Sequence, residues 1–394
     1  MGLSLKKAPS GRPFDLEWRI SLAGLNHPGW RPVIHGLAFL KHEFREHQPV
    51  SARYFLDDLV RGFWSVNHIV YDFAHNNPRD YLSDYAHIAR ARYLNGIDGL
   101  LLRDKVWFHF IMRPFSKYLP KLHGIVCKRD FHHISPYQAK RGRNSPDSSF
   151  GSVCQLLKSH RQLILKPMRG GEGRGVTLLS YFSGQFERDC HPISTRALEQ
   201  YVVSLDYYLV QEYIEQGAFP ASVFPHTTNT MRLLTMWDDD AREPFLAGAC
   251  HRFGCRESVP VDNCSRGGLS SGIHNSQGRL GPAARTQPTS QELTWHDVHP
   301  DTGQVISDRA IPQWEDIKEL ALSAASHLSF IPYIGWDIMI SSSQPGLKIL
   351  EANDHCGVQI LQMHSPLLRD ERVRSFYRKH RVLPGGMRWK RCTT

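Results

Sequence analysis

Two stretches carry residue types that could do phosphate chemistry. In LILKPMRGGEGRGVTLLS, Lys166 and Arg169 stand beside Gly170, Gly171, Gly173 and Gly175, with an apolar run on either side. Glycine lets backbone N–H groups turn toward a bound anion and approach it closely. Lysine and arginine add charge-assisted hydrogen bonds to phosphate oxygens. The loop is not a P-loop, because no GK[ST] follows. It also fits a dinucleotide fingerprint poorly, since a strand and not a helix comes next. A plain hairpin tip is the alternative reading, although four glycines in six residues exceed what a turn requires. The second stretch is acidic. GWDIMI carries Asp337, and LKILEAND carries Glu351, Asn353 and Asp354. Glu351 and Asn353 are two apart, so on a strand they share a face. Two carboxylates and an amide oxygen make an incomplete hard-oxygen shell, which suits magnesium when phosphates and water complete its coordination. Alone, this set reads equally well as a polar strand end. Together the two stretches support each other, because phosphoryl transfer uses a metal that bridges phosphates.

The elements that must position these residues follow from pattern. SARYFLDDLVRGFWSVNHIVYDFA has apolar residues at three- and four-residue spacing, so the region from His42 to about Leu101 reads as helical. Residues 1 to about 35 read as an irregular arm, and Asn76-Asn77-Pro78 as a turn. Asp104 is placed to cap a helix running to about Lys117, with Pro120 after it. HGIVCKRDF reads as a strand, residues 135–151 as a loop and GSVCQLLKSH as a short helix. LILKP and GVTLLSYF are strands, and ALEQYVVSLDYYLVQEYIEQ is a helix followed by a strand ending near Gln211. NTMRLLTMW, EPFLAGACHRFG, WDIMISS and LKILEAND read as strands, the first three of them antiparallel. WEDIKELALSAASHL is a helix, and PLLRDERVRSFYRKHRV closes the chain as another. This partly segregated mixture is α+β.

Bulk properties narrow the classes. The chain has 394 residues, 41% hydrophobic and 22% charged, which is enough for a globular core and about two domains. No apolar run reaches the ~18 residues of a membrane helix. The first residues lack a secretory stretch, and Lys6 stands where a myristoylation site needs Ser or Thr. A cytoplasmic protein without stable membrane insertion is the expectation. The formal charge of +10 suggests anionic partners, but the cations are scattered and form no nucleic-acid tail. Cys250, Cys255 and Cys264, with His251, are the one cysteine cluster that could hold a metal, and their spacing suits structural zinc poorly. Reduced thiols are the better reading.

With these motifs in order along the chain, the sequence resembles the ATP-grasp superfamily over about residues 98 to 385. It is closest to the sugar-transfer-associated branch, with likeness to glutamate-adding ligases. Leu102-Arg103-Asp104-Lys105 is similar to the RDK that opens the grasp region. LVQEYI, with Gln211, Glu212, Tyr213 and Ile214, is similar to the hinge that reads adenine. Asn229-Thr230-Met231-Arg232 resembles the strand that carries an arginine to the reacting phosphate. Arg252, Asp262-Asn263 and Gly267-Gly268 resemble the R…N..GG segment of the ligases.

The resemblance implies an ATP-grasp fold, two α+β subdomains clasping the nucleotide, preceded by a mainly helical region. Its implied boundaries are 1–97, 98–210 for the subdomain with the glycine lid, and 211–394 for the subdomain with the metal site. It implies ATP held by Lys105, Lys166, the four glycines and the hinge, and Mg2+, or Mn2+ in its place, held by Asp337, Glu351 and Asn353. Arg232, Arg252 and Asn263 would serve the reaction, and Glu215 would meet the ribose. His355 and Cys356 would line the acceptor site. The implied activity is carboxylate activation as an acyl-phosphate followed by coupling to an amine, in polysaccharide or natural-product synthesis. The carboxylate would belong to a small molecule, sugar or peptide, and a homo-oligomer is compatible with this. Phosphorylation of a sugar-like hydroxyl is the alternative. A non-enzymatic module that binds polyanions is a third reading, and it leaves a full set of acids and lysines without use. Nucleic acid is not expected as a partner.

Overall fold

The structure is a computed structural model that describes residues 31–46, 52–134, 147–171, 173–286 and 293–383. Most of the expected irregular arm, residues 1–30, and residues 135–146 of the expected loop lie outside the described residues. The chain divides into two compact units. The first takes the described parts of residues 1–78 and 380–394 with Leu82–Tyr93; the second takes Arg79–Tyr81 and Leu94–Lys379.

The first unit is helical, with helices Arg31–Glu46, Ala52–Arg61, Val66–Val70 and Asp84–Ala89. The first of them begins inside the segment expected to be irregular. Phe39 stacks on Trp64, and the Trp64 indole N–H donates to the Phe39 carbonyl at 3.2 Å. The unit buries acids. Asp84 Oδ2 accepts from the Trp64 backbone N–H at 2.9 Å and from Asn67 Nδ2 at 2.7 Å. Glu43 Oε2 accepts from the Ser65 N–H at 3.0 Å. Burial pushes Asp84 up to about 7, against the Trp64 and Asn67 hydrogen bonds that favour the carboxylate.

The second unit holds two antiparallel sheets. The strands of the first are β1 (Leu122–Cys127), β2 (Asp130–His133), β3 (Asp147–Ser148), β4 (Gln162–Pro167), β5 (Thr177–Phe182), β6 (Gln185–Arg188), β7 (His191–Ile193) and β8 (Tyr208–Glu212). They run in the order β3-β2-β1-β8-β4-β5-β6-β7. Leu163, Leu165 and Val210 face a core shared with helices Ser149–His160 and Thr195–Ser204, through Val153, Leu157, Leu198 and Val202.

The second sheet comprises β9 (Met231–Asp238), β10 (Glu243–Phe253), β11 (Leu269–His274), β12 (Arg279–Thr286), β13 (Leu293–His296), β14 (Tyr333–Ile340) and β15 (Leu347–Asn353). Their order is β13-β12-β11-β10-β9-β14-β15. Met231, Leu233, Trp336 and Ile338 pack against Ile317, Ala321 and Ala324 of helix Trp314–His327. Alternation then sends Arg232 and Asp337 to the other face. The helix capped by Asp104 is shorter than expected. It runs Lys105–Ile111 and gives way to a 3-10 segment, Arg113–Tyr118, because Pro114 has no N–H to continue the ladder. Phe108 and Met112 seat it in the core of the second sheet.

Asp84 gives a pH prediction. Its folded value lies above the unfolded one, so between about 4 and 7 the folded state binds more protons and stability falls as pH rises. Asp84→Asn keeps an acceptor and removes the titration. Calorimetry should show the variant more stable than the parent at pH 7.5, by up to about 4 kcal/mol, and no more stable at pH 4.

Candidate active site

Three charged residues of the second sheet form one cross-strand row. Arg232 on β9 is the direct partner of Asp337 on β14, and Asp337 is the partner of Glu351 on β15. Directly opposed residues share a face and touch. Arg232 grips Asp337 with two nitrogens, Nε on Oδ1 and Nη2 on Oδ2, the second at 3.0 Å. Arg252 on β10 reaches the same Oδ2 through Nη2 at 3.1 Å. Burial alone would raise the Asp337 carboxyl. The two guanidiniums overcome it and hold the group well below the usual carboxylate range. The Glu351 carboxyl is pushed up by burial and by the neighbouring charge of Asp337.

Arg252 is fixed from behind. Its Nε donates to Thr230 Oγ1 at 3.0 Å and lies 3.5 Å from Asp262 Oδ2. That same carboxylate oxygen accepts from the Thr230 N–H at 2.8 Å and the Thr230 hydroxyl at 2.6 Å. Asn229, just before, is scaffold. Its Oδ1 accepts from Thr227 Oγ1 at 2.7 Å and the Gly254 N–H at 2.9 Å. Its Nδ2 donates to Gln216 Oε1 at 2.9 Å, Pro220 O at 3.1 Å and Phe224 O at 2.7 Å. Asn263 caps the 3-10 turn Cys264–Arg266, its Oδ1 accepting from the Ser265 N–H at 3.1 Å. Gly267 sits at φ 91°, and a side chain at Gly268 would meet the Asp262 carbonyl at 2.7 Å. Asn263, Gly267 and Gly268 therefore have a structural reason to be there. His251 turns away from the site, stacked on Phe253 at 4.1 Å, and burial pushes it down to about 3.

The cations come from the other side. Lys166 on β4 is 9% exposed, and its Nζ lies 3.5 Å from the Leu350 carbonyl, next to Glu351. Burial lowers it to about 8, and Lys105 lowers it too, while Glu351 and Asp337 pull it up. Lys105 Nζ donates to the Gly170 carbonyl at 2.8 Å. Gly170, Gly173 and Gly175 adopt φ values of 126°, 66° and 74°, which favour glycine, whereas Gly171 does not. Two contacts escaped the sequence reading. Arg103 Nε donates to Asp354 Oδ2 at 2.7 Å, and Asp104 Oδ2 pairs with Arg169 Nε at 3.2 Å. No local signal pointed to them, because the partners stand 251 and 65 residues apart.

Residues 92–374 match the family described as sugar-transfer associated ATP-grasp. The chain belongs to this family. No curated protein matches the chain. Among solved structures it is similar to D-alanyl-alanine synthetase A from Vibrio cholerae O1 biovar eltor (TM-score 0.39, 7% identity, 70% of this chain and 65% of that one). It is also similar to D-alanine–D-alanine ligase from Bacillus anthracis (0.34, 13%, 71% and 69%) and to N5-carboxyaminoimidazole ribonucleotide synthetase from Thermotoga maritima (0.31, 8%, 65% and 42%). The chain spans 42% of the length of the last of these and 56% of another match, an ATP-grasp ligase named PsnB. No helix among the described residues is long and apolar enough to cross a membrane.

ATP and Mg2+ are the cofactors of this ATP-grasp fold. The donor set fits magnesium. Asp337 and Glu351 set two carboxyls at directly paired positions of neighbouring strands, a crowding that a divalent cation relieves. Asn353 donates Nδ2 to the Gly335 carbonyl at 3.4 Å, so its Oδ1 is the atom suited to a metal. Among the described residues no three His, Cys, Asp or Glu side chains gather in a group that could hold a metal. Cys255 instead donates Sγ–H to the Gly267 carbonyl at 3.0 Å. Cys356 is buried beneath the arginines, its Sγ 3.9 Å from Arg232 Nη1. At the hinge segment, Gln211 and Ile214 are buried and Tyr213 is partly buried. The Glu212 N–H donates to the Lys121 carbonyl at 2.9 Å, and Glu212 Oε2 accepts from the Lys121 N–H at 3.0 Å. Both are thereby occupied within the first sheet. Glu215 accepts from Ser342 Oγ at 3.1 Å.

Asn229 generates a stability prediction. Asn229→Ala orphans buried donors and acceptors around the strand that delivers Arg232. It should lower the unfolding free energy of this unit by about 3 kcal/mol in denaturant titration.

Proposed function

We propose that the chain is an ATP- and magnesium-dependent ligase that activates a substrate carboxylate as an acyl-phosphate and joins it to an amine. The observation that carries this reading is the pair of guanidiniums, Arg232 and Arg252, fixed side by side on Asp337. A carboxylate attacking a γ-phosphate brings two anions together, and preorganised cations lower that barrier most. Arg232 would face the transferring phosphoryl group and Arg252 the acyl-phosphate. Lys166 and Lys105 would hold the phosphate chain. Asp337, Glu351 and Asn353 would hold magnesium, which when bound neutralises charge between the β- and γ-phosphates. Gly170, Gly171, Gly173 and Gly175 would close over the nucleotide and keep water from the acyl-phosphate. Tyr213 and Ile214 would flank the adenine. The family's description, sugar-transfer associated, supports a sugar-linked substrate.

Transfer to a hydroxyl is the second reading. It is favoured by Asn263, whose side chain caps a turn and so lends the ligase likeness less weight. Hydroxylamine separates the two. With MgATP and a panel of acidic sugars and amino acids, the ligase reading expects ADP, free phosphate and a hydroxamate in equal amounts. A phosphorylated product without free phosphate would overturn it.

Lys166→Ala and Asp337→Asn should each cut ADP formation by about a hundredfold or more. Circular dichroism must show both folded, because Asp337→Asn leaves two arginines without their shared partner, at a cost of roughly 3–5 kcal/mol. Near-normal turnover from either variant would refute the assignment.

A further inference from the structure

We propose that the outer faces of helices Arg31–Glu46 and Ala52–Arg61 form a docking surface for an anionic phospholipid bilayer, on which the helical unit lies without crossing it. Neither helix carries a residue of the site described above.

The surface follows from what each helix turns inward. On helix Arg31–Glu46 the buried positions His35, Phe39 and Glu43 are one turn apart. They are held there. His35 Nε2 lies 2.7 Å from the Tyr93 hydroxyl, Phe39 stacks on Trp64, and Glu43 accepts from the Ser65 N–H. Val33, Leu37, Leu40 and Phe44 recur at spacings of four, three and four, which sets them on one face of a helix. That face is turned about a third of a turn from the buried one. All four residues are exposed, Leu37 by 63% and Phe44 by 72%.

Helix Ala52–Arg61 repeats the pattern. Asp58 is buried, its Oδ2 2.8 Å from His68 Nδ1. Leu56 and Val60, one turn apart, are exposed, Val60 by 88%. A helix on a globular unit ordinarily turns its apolar stripe to the core and its charges to water. Here two helices bury acids and expose leucine, valine and phenylalanine. Exposed apolar surface of this kind marks a face that is covered in use.

Charge selects what covers it. The two helices carry Arg31, Lys41, Arg45, Arg53 and Arg61 against four acids, and two of those acids, Glu43 and Asp58, are the buried ones. The unit they belong to has 15 Lys and Arg against 8 Asp and Glu, and so holds most of the chain's formal +10. A second copy would bring the same positive surplus and be repelled. An anionic headgroup layer attracts it, and basic residues beside an apolar helix face hold such a helix at the interface while its Leu and Phe side chains enter the acyl boundary. The mode is peripheral, because no helix among the described residues is long and apolar enough to cross a membrane.

The test is co-sedimentation of the full chain with vesicles of phosphatidylcholine mixed with phosphatidylglycerol, and with vesicles of phosphatidylcholine alone. Wild type should bind the mixed vesicles about tenfold or more tightly than the neutral ones. Binding should weaken as salt rises from about 0.1 M to about 1 M, which shortens the screening length from ~10 Å to ~3 Å. The double variant Leu37→Glu/Phe44→Glu should lose about tenfold or more in affinity, because each change removes apolar area and adds a repelled charge. Val60→Glu, on the second helix, should shift affinity in the same direction and keeps the test valid if circular dichroism shows the double variant unfolded. Absence of vesicle binding, equal affinity for both lipids, or unchanged affinity in both variants would overturn the proposal. So would a wild-type dimer that these substitutions turn monomeric without changing vesicle binding, since a second copy would then be what covers the stripe.

Discussion

One buried carboxylate holds two arginines, and the second sheet is arranged around that fact. Asp337 lies where burial disfavours charge, and only Arg232 and Arg252 keep it ionised. Opposite charges at such short range in a low-dielectric interior interact strongly, but only with good geometry and further hydrogen bonds is the desolvation cost met. The sheet supplies that geometry. The β9/β14 register sets Arg232 opposite Asp337, and the Thr230–Asp262 pair holds Arg252 from behind. A slip of one residue in β9 would turn Arg232 into the helix-facing core and Met231 out of it. The apolar face therefore selects the charged face: Met231 and Leu233 bury against helix Trp314–His327, so Arg232 cannot.

The remaining charges are left unsettled in a telling way. Lys166 is lowered to about 8 by burial, while Glu351 is raised by burial and by Asp337. Each leans toward its neutral form, and they sit on facing sheets within reach of each other. An anion would restore the charge of Lys166, and a divalent cation that of Glu351. Magnesium bound to phosphates is one ligand that brings both. The arginines need no such help, because Asp337 and Asp262 already answer them.

Much of this was legible in the sequence, for a physical reason. Arg232, Asp337, Glu351 and Asn353 stand out because β9, β14 and β15 are long apolar strands in which a charge is conspicuous. The pairing of Asp337 with both arginines was not legible. It depends on register between strands 105 residues apart, which no local pattern encodes. The strands β11, β12 and β13 were missed, since Gly272, Gly281 and Pro282 interrupt their alternation. Asn229 was read as the opening of a functional motif, and in the structure its hydrogen bonds stay inside the scaffold. The stop at Pro114 was written in the sequence and overlooked because the apolar spacing runs on past it.

The three consecutive residues Arg103, Asp104 and Lys105 explain how the two sheets act as one site. Arg103 grips Asp354, just past the end of β15. Asp104 pairs with Arg169, in the stem of the glycine loop, and Lys105 reaches the carbonyl of Gly170 within that loop. Asp104 also caps the helix that follows, accepting from the Val106 N–H at 3.1 Å. That helix is seated in the second core by Phe108 and Met112. A rigid element thus carries three side chains that fix a strand end and a loop relative to each other. The contact between Lys105 and Gly170 is the weakest of the three, because both groups are exposed to water and only one is charged. A phosphate oxygen is the stronger partner for an ammonium. Nucleotide binding would exchange that contact for a charged one and release the loop tip, while the Asp104–Arg169 pair keeps its stem in place.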